Sequence, residues 1–301
     1  MTPQRTLRRP VSCAGIGVHS GQKVTLALKP APADYGIRFF RTDLGIEIPA
    51  SVEHVAGLHY ATGLAASGAT VDTVEHLLAA LVTQGVDNVR IELNRAEVPI
   101  MDGSAAPFVY LIHEAGLKRL TAPRRYMKIR RPLTLSMGDK QISLYPADDY
   151  RVSYLIAFDH PLIREQSRTF TVSADTFAED IAPARTFGFL KDVELLRQNG
   201  LALGGSLDNA VVLSETGALN TLRFDDEFVR HKILDAIGDF ALAGLPVLGH
   251  LVVRRGGHAL HAAFVKMLLE ERDAWTIVGS PYEPVTGDAS VAARAGAAAG
   301  H

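Results

Sequence analysis

Glu227-Phe228-Val229-Arg230-His231-Lys232-Ile233-Leu234-Asp235-Ala236-Ile237-Gly238-Asp239-Phe240-Ala241-Leu242-Ala243 is the stretch whose reading decides how this chain is built. At about 100° per residue, with His231 at the origin, Asp235 lies near 40° and Asp239 near 80°. Val229, Ile233, Ala236, Ile237 and Phe240 fall between about 140° and 240°. The spacing predicts a helix over Glu227–Ala243, with an apolar stripe toward a core and His231, Asp235 and Asp239 on the opposite side. In isolation such a pattern is usually a solvated polar face. Phe228 and Leu242 lie within the same sector, however, as though the face were partly covered.

Other elements follow outward from this helix. Residues 74–80 resemble 229–235, and each segment opens a helix that leads through a glycine to an apolar strand. The echo predicts two halves of one architecture, each a sheet covered by helices. In the first half, strands are expected at Val24–Leu28, Ile37–Arg41, Ile46–Ile48 and Val89–Leu93. Helices are expected at Asp72–Gln84, with Asp72 as N-cap and Glu75 completing a capping box, and at Ala106–Ala115. Thr121–Arg131 reads as a linker and the start of the second half. Beyond it come strands at Thr134–Ser136, Gln141–Tyr145, Arg151–Phe158 and His250–Arg254. Helices are expected near Asp175–Ile181, at Leu190–Asn199 and over 258–273. The predicted domains are 1–122 and 127–287, followed by an Ala/Gly-rich mobile tail at 288–301.

Composition narrows the function classes. The chain has 301 residues, 47% hydrophobic and 21% charged, which excludes a disordered polymer. A net charge of −2 argues against nucleic-acid binding by bulk charge. The single cysteine, Cys13, permits no intrachain disulfide and fits a reducing compartment. No apolar stretch reaches the roughly 20 residues that span a bilayer. A cytoplasmic protein without an integral membrane segment is expected.

The chemistry-bearing residues gather in three places. His231 and Asp235 are an i,i+4 pair, with Cβ atoms about 6 Å apart, which lets both side chains reach one metal ion. Asp239 lies roughly 12 Å along the axis from His231 and suits a supporting role better than a ligand's. Glu75-His76 could add a third ligand and a carboxylate base. Three protein ligands with a fourth position open is the pattern of catalytic zinc. In that reading His76, His231 and Asp235 hold the ion and Glu75 takes a proton from the attacking water. The plainer reading leaves Glu75 as a cap and His76 as an ordinary helix residue. Gly256-Gly257-His258 is either a turn or a close backbone approach to a ligand. His258 as a cation would pair with Asp239. Gly204-Gly205-Ser206 is not followed by the Lys-Ser/Thr of a phosphate loop, and no serine has a nucleophile-elbow setting.

Taken together, the motifs resemble one family. They are Gly15-Ile16-Gly17-Val18-His19-Ser20-Gly21, Thr73-Val74-Glu75-His76-Leu77, Val98 to Phe108, and Phe158-Asp159-His160-Pro161. They continue with Ala184-Arg185-Thr186-Phe187-Gly188-Phe189, Leu203-Gly204-Gly205-Ser206, the 228–239 stretch and Gly257-His258. In this order they resemble the zinc-dependent UDP-3-O-acyl-N-acetylglucosamine deacetylases of lipid A biosynthesis, from about residue 4 to 275. The resemblance implies an α+β fold of two similar domains with the active site in the cleft between them. It implies removal of the N-acetyl group from a UDP-linked, 3-O-acylated glucosamine in a Gram-negative cell.

It further implies one Zn²⁺ on His76, His231 and Asp235, with Glu75 as base. His258, oriented by Asp239, would stabilise the oxyanion and protonate the leaving amine. Thr186 would donate to the oxyanion, and Lys232 would line the site. Phe158 would stack on uracil, Arg255 and Gly257 would lie near the diphosphate, and Phe187 and Val18 would also contact the substrate. Val193, Ala202, Leu207, Ala210 and Val212 would enclose the acyl chain. His59 and Tyr60 depart from the family pattern and could bring an extra histidine near the metal. The substrate is the expected partner, and a monomer is expected. The rivals are a catalytically silent nucleotide-sugar or lipid binder of the same fold, and an amidase acting on another acetylated amine.

Overall fold

The computed structural model describes residues 2–280, 283 and 284. In the first half, five strands pair in the spatial order Val11–Ile16, Lys23–Pro30, Val89–Leu93, Ile37–Arg41, Ile46–Pro49. Only the contact between Ile37–Arg41 and Val89–Leu93 is parallel. Alternation sorts the two faces. Leu26, Leu28, Phe39, Ile48, Ile91 and Leu93 are fully buried. The outer face carries a Lys29–Glu92 ion pair and Arg90 stacked over Phe40. Each fully buried Leu, Ile or Phe contributes about 1.5–3 kcal/mol, so the inner face dictates the register.

The second half is built on Val247–Arg254. It pairs antiparallel with Lys140–Tyr145 and parallel with Tyr150–Ala157 and Tyr126–Ile129. Leu133–Met137, Glu165–Thr171, Trp275–Ser280 and Glu283–Pro284 complete an eight-stranded sheet. Ile142, Leu144, Val152, Ile156, Leu251 and Val253 are buried with Ile233, Ile237, Phe264 and Leu268 of the covering helices. The molecule is thus α+β, two similar halves, each a sheet covered by helices that meet the helices of the other half.

The helix Glu75–Thr83 of the first half rests on Glu227–Phe240 of the second. Gly238 permits the contact, because a Cβ there would sit 2.0 Å from the carbonyl oxygen of Glu75. This packing decides between the two readings of the polar face: His231, Asp235 and Asp239 are buried at the interface between halves and form no solvated face.

Three local expectations change. The Asp72–Gln84 helix begins at Glu75, its N-cap position is Val74, and no side chain caps it. Asp72 lies in a bridge to Glu97. No capping box forms, because the Glu75 carboxylate takes its hydrogen bond from the backbone N–H of Thr62, at 3.0 Å. The expected linker at Thr121–Arg131 instead contains the strands Leu117–Pro123 and Tyr126–Ile129. The first of these pairs with Pro3–Leu7, tying the N-terminal strand to the close of the first half. The helix near Asp175–Ile181 is a single turn, Ala174–Thr176, capped by Ser173 and followed by a π-turn. The division proposed between 122 and 127 falls beside the junction of these two sheets. The 288–301 segment lies outside the described residues.

Candidate metal centre and active site

Three side chains converge where the facing helices meet. The Nε2 atoms of His76 and His231 lie 3.5 and 3.4 Å from Asp235 Oδ1. One ligand atom from each residue falls within 4.8 Å of the others. The two imidazoles meet edge to face at 4.9 Å between centroids. His231 Nδ1 lies 3.1 Å from the carbonyl oxygen of Ala184, to which it donates, leaving a lone pair on Nε2. Asp235 Oδ2 accepts from Lys232 Nζ at 2.8 Å, whereas Oδ1 accepts no hydrogen bond from any described residue. His76 Nδ1 likewise has no partner among them. A buried, unsatisfied carboxylate oxygen facing two imidazole nitrogens is the chemistry of a divalent-cation site.

Asp239, His258 and His261 form a second compact group. Its carboxylate is already occupied. Asp239 Oδ1 accepts from Thr62 Oγ1 at 2.6 Å, and Oδ2 accepts from His258 Nδ1 and His261 Nδ1, each at 2.8 Å. The donor sets therefore favour the first group for a metal.

Electrostatics separates the two catalytic candidates. Burial raises the Glu75 carboxyl above its usual range, while His258 and His76 pull it back. Burial alone would lower His258, but the carboxylate of Asp239 outweighs it and the pKa rises to about 9. Burial lowers His231 to about 3, so it is neutral and able to ligate. Burial disfavours the ammonium of Lys232, yet Asp235 raises its pKa on balance.

One wall of the site is anchored by a buried ion pair. Arg185 binds Glu227 at the start of the long helix through Nε, at 2.8 Å, and through its backbone N–H. This holds Ala184 against His231, and Thr186, two residues on, is half-buried with its N–H donating to the carbonyl oxygen of Gly103. The Phe187 ring lies 6.4 Å from His231 and 5.7 Å from Phe158, giving a continuous aromatic wall. Phe189 extends it at 5.9 Å from Phe158.

Arg255 is exposed, has φ 53°, and pairs with Asp139 at 2.5 Å. Gly257 has open space where a Cβ would be, whereas Gly256 is the glycine that packing requires. Val18 and His19 accept backbone hydrogen bonds from Gly204 and Leu203, so the 203–206 loop docks on the first hairpin. The helix Leu190–Gln198 has no buried residue, and Leu195, Leu203 and Leu207 are exposed. Val193, Ala202, Ala210 and Val212 are half-buried along this segment. His59 is exposed and belongs to neither metal-capable group.

A family model described as UDP-3-O-acyl N-acetylglycosamine deacetylase matches residues 4–270. The chain belongs to this family. It is therefore a hydrolytic deacetylase by descent. A UDP-3-O-acyl-N-acetylglucosamine deacetylase of Myxococcus xanthus is 51% identical, covering 91% of this chain and 89% of its own. Proteins of the same name from Syntrophotalea carbinolica and Pseudomonas entomophila are 49% and 48% identical, over 93% and 92% of this chain and 92% and 94% of theirs.

Within this deacetylase, reasoning from residue spacing did not find Thr62, Tyr154 or His261. Thr62 lies in a turn with no helical or strand period. His261 is one turn beyond His258 on the same helix, so an i,i+3 reading from His258 was the available signal.

Proposed function

We propose that this deacetylase removes the acetyl group from the 2-amino group of UDP-3-O-(3-hydroxyacyl)-N-acetylglucosamine, in lipid A biosynthesis of a Gram-negative cell. The observation that carries the reading is the unsatisfied Asp235 Oδ1 facing His76 and His231, with Glu75 and His258 nearby. In this reading His76, His231 and Asp235 hold one Zn²⁺. When bound, the ion would act as a Lewis acid toward the acetyl carbonyl and the attacking water.

Glu75 takes the proton as the water oxygen bonds to the acetyl carbon. Thr62 N–H keeps its carboxylate aimed into the cleft. Protonated His258 and the hydroxyl of Thr186 face the developing oxyanion. The C–N bond then breaks, the amine takes its proton from His258, and acetate leaves. Asp239 stabilises the imidazolium through its 2.8 Å hydrogen bond. Lys232 holds Asp235 in place.

Phe158 and Phe187 suit a stacked uracil, Arg255 and Gly257 the diphosphate, and Val18 with Val193, Ala202, Leu207, Ala210 and Val212 the acyl chain. Among the described residues no helix is long and apolar enough to cross a membrane. We propose a monomer acting in the cytoplasm. The test is metal analysis of the purified protein with an acetate-release assay on the UDP-substrate. About one zinc per chain and stoichiometric acetate are expected. Release of acetate by metal-free protein would overturn the mechanism.

A further inference from the structure

Asp239 is held by more donors than a simple histidine–carboxylate pair needs. Its Oδ2 lies 2.8 Å from both His258 Nδ1 and His261 Nδ1. A carboxylate can only accept, so both ring nitrogens donate. His261 is fully buried, and its Nε2 lies 3.3 Å from the hydroxyl of Tyr154, which is also buried. The Tyr154 ring stands edge-on to it at 6.0 Å. In the Nδ1–H tautomer, which donates to Asp239, Nε2 accepts from the Tyr154 hydroxyl. The result is a directional chain, Tyr154 O–H to His261 to Asp239, ending on the oxygen that His258 also uses. Gly256 leaves room for this pair and for Val253, whose Cγ1 would lie 2.4 Å from a Cβ there. A Cβ at that position would lie 2.8 Å from the Tyr154 oxygen and 3.0 Å from His261 Nε2.

We infer that His261, backed by Tyr154 and housed by Gly256, is a positioning residue that fixes the Asp239 carboxylate so that His258 presents Nε2 to the leaving amine. The inference rests on the reading of His258 as the acid. A neutral donor on the shared oxygen does two things. It locks the carboxylate rotamer, and it withdraws part of the negative charge that would otherwise bind the His258 proton more tightly. The groups facing His258 are Asp239 and Asp235 on one helix, Glu75 on a second, Thr62 in a turn, and His261 on its own helix. Of these only His261 contributes a second imidazole donor to Asp239.

The test compares His261→Leu, His261→Asn and Tyr154→Phe in the metal-loaded enzyme. His261→Leu should lower kcat by about 10–100-fold with KM and metal content little changed, the range expected of outer-shell partners. Its basic rate limb should move to higher pH, since Asp239 then binds the His258 proton alone. His261→Asn keeps a donor near the Nδ1 position and should recover most of the lost kcat. Nitrogen-15 NMR of the wild type should show His261 as the neutral Nδ1–H tautomer. Where His261→Leu fails to fold, Tyr154→Phe carries the test through a loss of that tautomer preference and a smaller fall in kcat. Wild-type kcat and an unmoved limb in His261→Leu would overturn the inference. So would equal losses in the Leu and Asn variants accompanied by equal losses of stability, the result of plain packing. Full activity in His258→Ala is a separate outcome. It would remove the acid assignment itself, and the inference with it.

Discussion

Asp235 carries a charge in a nearly closed site, and an unpaired buried ion costs several kcal/mol. Lys232 satisfies one of its oxygens and leaves the other facing two imidazoles. His231→Ala should therefore lose both metal and activity, read by metal analysis and acetate release. Glu75→Gln and His258→Ala should keep the metal and lower kcat by about 10²–10⁴-fold, the usual span for a general base or acid. The rate should also be bell-shaped in pH. Glu75 must be ionised, and burial lifts it above the ordinary carboxylate range, so the rate climbs only above that range. His258 must be protonated and has a pKa of about 9, so the rate falls as pH rises through about 9. A flat profile to pH 10 would contradict the assignment. Much of this was legible because His231 and Asp235 sit one helical turn apart. Glu75 was ambiguous in sequence, since a carboxylate in the first turn of a helix also reads as a cap. Only the Thr62 N–H, brought from a distant turn, decides where it points.

At the scale of elements, the contact between Glu75–Thr83 and Glu227–Phe240 makes a prediction with an unusual sign. Gly→Ala inside an exposed helix stabilises by about 1 kcal/mol. Gly238→Ala should destabilise by about 1–3 kcal/mol, because the added methyl meets the Glu75 carbonyl and overpacks the contact. Chemical denaturation reads the sign, and kcat should fall with it, since Glu75 and His76 move together. The 190–212 segment makes another. Ala210→Trp should weaken long-acyl substrates far more than deacylated ones in KM. Equal effects would mark the segment as ordinary packing. The long helices were legible from their periods. The strand pairs Val55–Gly57 with Gly63–Ala66, and Phe187–Phe189 with Val211–Leu213, were not. Each is three or four residues long, too short for alternation to register, and the second pair joins segments 24 residues apart.

For the whole molecule, the proposed metal ligands come from both halves, His76 from one and His231 and Asp235 from the other. An ion held across the cleft stabilises the folded state in proportion to the logarithm of its concentration over Kd, by about 2.7 kcal/mol at a hundredfold excess. Chelation should lower Tm and abolish activity, and zinc should restore both. An unchanged Tm would argue against a tightly held ion. The two-half architecture was legible in the echo between residues 74–80 and 229–235. Phe228 and Leu242 hinted that the polar face is covered, but what covers it was not legible, because helical period reports which side chains share a face and is silent on the partner.

The strand pairings also set an order of events on the ribosome. The first sheet uses only residues up to Leu93, and Pro3–Leu7 finds its partner by Pro123, so this half can close while the rest is still being made. Tyr126–Ile129 must wait for Val247–Arg254 and Trp275–Ser280. His76 is therefore synthesised long before His231 and Asp235, the residues proposed to share its ion. If these residues hold the ion as proposed, the nascent chain would lack the full donor set until the 227–240 helix has emerged and folded against Glu75–Thr83, and loading would be a late step of biogenesis.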